Sequence, residues 1–301
     1  MNEKPEQNWY AFFTMDCIPP GGHRVLVGPS SWRAAERSIE DFSELVLESG
    51  WRPTLFVNPA CLEKLGEMLL DLEGRGARLG LLCHPQLSGY QSFLGAYRVD
   101  VQREIVGGDR RSWEEHMGKT VETIRPGFFS ANDYTFQAFC MEGFRQGSCS
   151  LPGKVDRNRY SDWRSAPLYP HHTDPLSKNE TGSMEFFEIP VGSDIAGAEQ
   201  YERGMNFFVP PHLRIEEPHI HENARSIFKA IIEAGRTARE GGLVPFGFLT
   251  SNAVDWREKE APYAEHYLNL LSLLKRMAEE HGSSLRPGSA EELHALADKH
   301  I

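Results

Sequence analysis

Residues 9–16 read WYAFFTMD and residues 78–86 read RLGLLCHPQ. Each is an apolar run too short for a helix that ends on a polar side chain, Asp16 or His84, with proline following soon after. Strands buried on both faces look like this, and parallel sheets covered by helices are built from them. Five more runs share the pattern: Pro53–Val57 (PTLFV), Ile124–Phe129 (IRPGFF), Arg145–Cys149 (RQGSC), Phe186–Val191 (FFEIPV) and Val244–Thr250 (VPFGFLT). Between them, stretches at Arg33–Ser49, Ala60–Leu72, Trp113–Glu122, Asp133–Glu142, Glu222–Glu240 and Pro262–His281 place apolar residues at roughly the 3.6-residue helical period. Ser289-x-x-Glu292 reads as the capping box of a short last helix. The alternation predicts the α/β class, and about seven units in 301 residues suit a (β/α) barrel, although an open doubly wound sheet has the same local pattern.

The chain carries 32 Lys and Arg against 43 Asp and Glu, a net charge of −11, which supplies no basic footprint for a nucleic acid. Cys17, Cys61, Cys83, Cys140 and Cys149 form an odd set without metal-ribbon or CxxC spacing, so reduced thiols and a cytoplasmic location are expected. The start, MNEKPEQNWY, lacks a signal-peptide layout, and no apolar run approaches the roughly 18 residues of a membrane helix. No linker, repeat or low-complexity tract divides the sequence, and one domain spanning 1–301 is expected. Long loop insertions fall at about 151–182 and 192–218. Loops of that length serve as lids or binding loops, or simply decorate a barrel.

In such barrels the chemistry sits where strands run out into the following loops. Asp16 and His84 stand at two such ends, where a carboxylate and an imidazole could serve as base, acid or metal ligand. Arg125, opening RPGFFSAND, could hold Asp16 through paired hydrogen bonds. Asn132 reads as a helix cap or a substrate contact. His171 and His172, in APLYPHHTDP, could reach a site from a lid. Trp163 offers an aromatic face to a sugar ring, or anchors its loop. His219 and His221 precede a helix and read as surface or capping residues. A P-loop, a dinucleotide fingerprint, HExxH and GxSxG are all absent from the sequence.

Taken in order, FFTMD, RPTLFV, GARLGLLCHPQ, RPGFFSAND with GFRQGSCS, FEIPV and FGFLT make this sequence resemble the polysaccharide deacetylase family, the carbohydrate esterases that include chitooligosaccharide deacetylases, from roughly Trp9 to Asp255. The resemblance implies a distorted (β/α) barrel of about seven parallel strands. It also implies a divalent metal, zinc above all, held by an aspartate and two histidines and activating water against the acyl group of an amino sugar, glycan or sugar nucleotide. Asp16 would fall on the catalytic base, Arg125 on the arginine that positions it, and His84 on a metal ligand or acid. Asp16, His84 and His172 would hold the metal, with Trp163, His171 and Asn132 binding substrate. The sequence departs from the family at Cys17 and Ile18, where the metal-binding aspartate is expected. It departs again at Leu82 and Gln86, where histidines are expected, and at Ser251 and Asn252, in place of the general-acid histidine. Two expectations follow. Either the metal site is rebuilt from Asp16, His84, Cys17 or Cys83 and a loop histidine, giving a deacetylase, or the barrel is metal-free. A metal-free barrel would bind carbohydrate, regulate, or use Asp16 alone as base. A more distant third is a structural partner in a sugar-modifying assembly.

Overall fold

The computed structural model describes residues 8–21, 27–196, 206–237, 242–257 and 263–299. In chain order its elements are β1 (Asn8–Cys17), α1 (Trp32–Glu48), β2 (Pro53–Val57), α2 (Leu62–Gly74), β3 (Arg78–Cys83), α3 (Val99–Met117), β4 (Thr123–Pro126), α4 (Thr135–Met141), β5 (Gln146–Gly147), β6 (Val155–Asp156) and β7 (Ser161–Asp162). There follow β8 (His171–His172), β9 (Phe187–Glu188), β10 (Phe207–Phe208), α5 (Ile220–Thr237), β11 (Leu243–Ser251), α6 (Tyr263–Glu280), β12 (Leu285–Pro287) and α7 (Ala290–Ala297). The main sheet runs β11-β1-β2-β3-β4-β5-β9-β8, with β12 also on β1. Every neighbouring pair is parallel except β8 on β9, so seven parallel strands curl into a distorted (β/α) barrel. Past β9 the wall continues through backbone bonds: Gly192 N to Gly247 O (3.0 Å), Leu213 N to Gly192 O (2.8 Å), Leu249 N to Leu213 O (2.8 Å) and Ile215 N to Leu249 O (3.0 Å). A short segment around Leu213 thus bridges β9 to β11.

Because successive strand residues face opposite ways, the strands serve two cores. Trp9, Phe13, Met15, Cys17, Leu55, Val57, Leu81 and Cys83 pack outward against the helices. Tyr10, Phe12, Phe56, Leu82, Phe187 and Ile189 fill the barrel with Ala290, Leu293 and Ala297 of α7. The α7 helix therefore plugs one end. Its Glu292 pairs with Arg52 and Arg78, its Glu291 accepts from Thr123, and its His294 meets Gln146, all at the starts of strands. The plugged end is the base of the barrel, and the strands' C-terminal ends form the opposite mouth. Among the described residues no helix is long and apolar enough to cross a membrane.

Three expectations shift. The helix expected at Trp113–Glu122 is the end of α3, which starts at Val99 and stops where Gly118 adopts φ 65. Its buried face includes the polar Gln102 and Asp109, which hide the helical period from an apolar count. The strands expected at Arg145–Cys149 and Phe186–Val191 shrink to two residues each. There the Cys149 and Ser150 N–H groups donate to the Glu188 carboxylate instead of a ladder. The insertions are not structureless, since β10, β6 and β7 form a small antiparallel sheet and β8 joins the main one. The expected ends Glu240 and Pro262 lie outside the described residues.

Candidate active site

Asp16 is the interior-facing residue at the end of β1, level with Phe56 on β2 and Ser251 on β11. Arg125, at the same side of β4 and 1% exposed, donates from Nη1 to Asp16 Oδ1 (2.7 Å) and Thr14 Oγ1 (2.9 Å), and from Nε to Ser148 O (2.8 Å). Its guanidinium also lies 4.1 Å from the Phe56 ring centre, a cation–π contact that holds the plane. A charge this buried is tolerable only because it is paired with a carboxylate and hydrogen-bonded. The Asp16 side chain stays 19% exposed and so reaches the mouth.

His84 follows β3 and is buried against Gly127 and the edge of Phe128. Burial pushes its imidazole down to about 4, with the nearby Asp16 charge opposing that shift. At neutral pH it is therefore neutral, a hydrogen-bonding group and not an imidazolium acid. Phe128 and Phe129 both take left-handed φ of 59, strained backbone of the kind found at ligand sites. The chain thus bends sharply just past Arg125.

Several buried polar atoms at or just beyond strand ends have no hydrogen-bond partner within the chain: His84 Nδ1, Arg125 Nη2, Ser148 Oγ, Thr250 Oγ1 and both ends of the Gln86 amide. Folded proteins leave few such atoms. Of these, Arg125 Nη2 and His84 Nδ1 lie on the Asp16 side of the wall, whereas Thr250, level with the outward-facing Met15, turns to the helices. A wider groove of about 530 Å³, lined by Asn58, Ser88, Tyr90, Glu104 and Asp109, lies on the helix side of the loops after β2 and β3. The mouth remains the better site, because the Asp16–Arg125 pair sits there at the C-terminal ends of the strands.

Three mouth residues carry no local sequence signal. Lys154, buried and donating to Phe128 O (2.7 Å), is pushed down to about 7 by burial, so its charge is poised near neutrality. His212, also buried, is pushed down to about 4. Arg214 stands on the bridging segment between Leu213 and Ile215, which go into the outer core. It pairs with Glu216 (2.6 Å) and is held up further by Asp16. These three are placed by the paths of long loops and could have been found only from tertiary contacts.

Other expected site residues lie elsewhere. Cys17 and Cys83 face the outer core, across their strands from Asp16 and His84, and burial raises both thiols. They cannot join a metal at the mouth. Trp163 is fully buried, its Nε1 donating to Phe129 O (2.8 Å) and its face covered by Lys178 (4.7 Å). It is a loop anchor and cannot stack on a sugar. Asn132 ties a turn together, donating to Gly95 O and Tyr97 O and accepting from Gln102 and Tyr134. It also lines a cavity of about 370 Å³ beside Arg157, Asp162 and Lys178. His171 and His172 form β8 at the sheet edge, with His172 level with Phe187 at the start of β9. Both are therefore at the base end, away from Asp16. Asn252, expected near an acid position, clamps the Ile18 backbone through both amide ends (3.1 and 2.9 Å).

A metal of the kind the resemblance implies needs three protein ligands. Among the described residues the mouth supplies Asp16, already bound to Arg125, and His84, and no third His, Cys, Asp or Glu donor converges with them. With Arg214 also acting on Asp16, the mouth does not fit a divalent ion.

No family model and no curated protein matches the sequence. Solved structures do share the fold. A protein of Pseudomonas aeruginosa PAO1 assigned to the polysaccharide deacetylases superposes with a TM-score of 0.55 at 14% identity, covering 99% of this chain and 95% of its own. One from Mycobacterium smegmatis with the same assignment gives 0.53 at 15% identity, covering 96% of each chain. The Puue allantoinase gives 0.53 at 12% identity, covering 98% of this chain and 94% of its own. The fold is therefore that of the polysaccharide deacetylase barrels.

Proposed function

We propose that this chain is a hydrolase that removes an acyl group, acetyl in the simplest case, from an amino sugar or glycan at the barrel mouth, by chemistry that needs no metal there. The observation that carries the reading is the Asp16–Arg125 pair, surrounded by buried polar atoms that lack partners. The neighbours of this fold assigned to the polysaccharide deacetylases, together with the allantoinase, support hydrolysis of an acyl–nitrogen bond.

Asp16 takes a proton from water, and the resulting hydroxide attacks the acyl carbonyl. The positive charge of Arg125, behind Asp16, favours the developing oxyanion through its field and not by direct contact, since its guanidinium is buried. Asp16, now protonated, returns the same proton to the leaving nitrogen as the C–N bond breaks, which closes the proton balance. Neutral His84 orients substrate through a hydrogen bond. Arg125 additionally positions the Asp16 carboxylate. The substrate is a carbohydrate or sugar nucleotide whose hydroxyls would pair with the polar groups that line the mouth beside Asp16.

The test is acetate release from a panel of N-acetylated and O-acetylated sugars, with and without a chelator. Asp16→Asn should lower kcat/KM by about a hundredfold or more and, because it leaves the buried Arg125 charge without its carboxylate, the Tm as well. Full activity in that variant would sink the assignment. A second reading, a carbohydrate-binding or regulatory barrel, is favoured by the missing metal ligands. Saturable sugar binding by the wild type with no release from any member of the panel would establish it instead.

A further inference from the structure

His294 and Asp298 stand one helical turn apart at the end of α7, on one face by their i, i+4 spacing. That face meets His172 of β8. The His172 and His294 Nε2 atoms lie 3.4 and 3.6 Å from Asp298 Oδ1, and all three ligating atoms fall within 4.8 Å of one another. In a tetrahedral zinc site with bonds near 2.0 to 2.1 Å, neighbouring ligand atoms are separated by roughly 3.3 to 3.5 Å. One of the three edges already has that length and a second slightly exceeds it.

The tautomers are set by what lies behind the rings. His172 Nδ1 is 2.9 Å from Met184 O, which can only accept, so Nδ1 carries the proton. His294 Nδ1 is 3.0 Å from Gln146 Oε1. The Gln146 amide is oriented in turn, because its Nε2 donates to Thr123 Oγ1 (2.9 Å), which itself donates to Glu291. Both imidazoles therefore aim an Nε2 lone pair at the Asp298 carboxylate. Imidazoles braced through Nδ1 in this way are the usual support of a metal site. The Phe187 ring, stacked on His294 at 5.1 Å and 3°, fixes the plane of one ligand.

We propose that His172, His294 and Asp298 form a transition-metal site, zinc by its two imidazoles and one carboxylate, at the base of the barrel and separate from the mouth. The metal fastens the plug helix α7 to the edge strand β8, so its role is stability. Asp298 is 51% exposed, which leaves room for water as a fourth ligand.

The experiment is zinc titration of the metal-stripped protein by calorimetry, with cobalt(II) absorption as a coordination readout and no substrate present. One equivalent should bind, with the visible bands of a four-coordinate cobalt site. The Tm should rise by about 5 °C at a hundredfold excess over Kd. His172→Gln and His294→Gln should abolish binding. Because those side chains are buried and the variants could misfold, Asp298→Asn, at the exposed helix end, serves as the second variant and should weaken zinc about tenfold or more. Asp16→Asn and His84→Gln should bind zinc as the wild type does. Failure of the wild type to bind, or binding lost in Asp16→Asn and kept in Asp298→Asn, would overturn the proposal. Because the measurement involves no substrate, neither result bears on hydrolysis at the mouth.

Discussion

A Cβ on Gly127 would stand 2.0 Å from His84 Cε1. Gly127→Ala should therefore push the imidazole out of place and lower kcat/KM about tenfold or more. The double variant with His84→Ala should be no worse than His84→Ala alone, since both changes act on one ring. Additive losses would show that Gly127 acts on something else. The three residues on which the proposed chemistry rests were legible because strand ends announce themselves: Asp16, His84 and Arg125 each close or open an apolar run. The sequence also offers His84 as an acid or metal ligand; its burial holds the imidazole down to about 4 and so favours its neutral form near neutral pH. Lys154, His212 and Arg214 gave no such signal, because the paths of loops decide where they stand. The sequence marks His172 as a candidate ligand beside Asp16, and the fold places it on β8, level with the start of β9. Its partners, His294 and Asp298, lie on a helix that only the tertiary fold brings against β8.

At the level of elements, the cap of α7 was read correctly from four residues. The Ser289 side chain accepts from Glu292 N, and the Glu292 carboxylate accepts from Ser289 N. Ser289→Ala should cost about 1 kcal/mol, seen as a fall in Tm of about 2 to 4 °C. An unchanged Tm would mean that the pairs of Arg52 and Arg78 with Glu292 hold the helix start unaided. Long strands were legible for the same reason as the cap, because their signal is local. Pro53–Val57 and Arg78–Cys83 match the structure residue for residue. The short strands β5 and β9 were overextended, since apolar residues beyond the ladder belong to loops closed by the Glu188 carboxylate. β8 was missed altogether, as two residues cannot show a period.

For the whole molecule, burial sets the pH response. His84, His171 and His212 sit near 4 in the fold against an ordinary 6.5, so each takes up a proton on unfolding between those values. Glu188, raised to about 7, and Asp109, raised to about 6, each release one over much of the same range. Between about pH 4.5 and 6 the unfolded chain therefore binds three protons more on imidazoles and two fewer on carboxyls. A net uptake of about one proton makes stability fall by about 1.4 kcal/mol for each pH unit of acidification in that window. Denaturant midpoints at pH 6 and 4.5 check the sign, and a flat or rising stability on acidification would contradict it.

The bridge around Leu213 has a wider consequence. The parallel strands hold Asp16 and Arg125, whereas His212, Arg214 and Glu216 arrive on a segment that, among the described residues, joins the wall at the seam between β9 and β11. Part of the polar lining of the mouth is thus carried on a segment distinct from the strands that hold Asp16 and Arg125. Exchanging that segment between the same seams would change this lining while Asp16, Arg125 and the barrel beneath them stayed as they are.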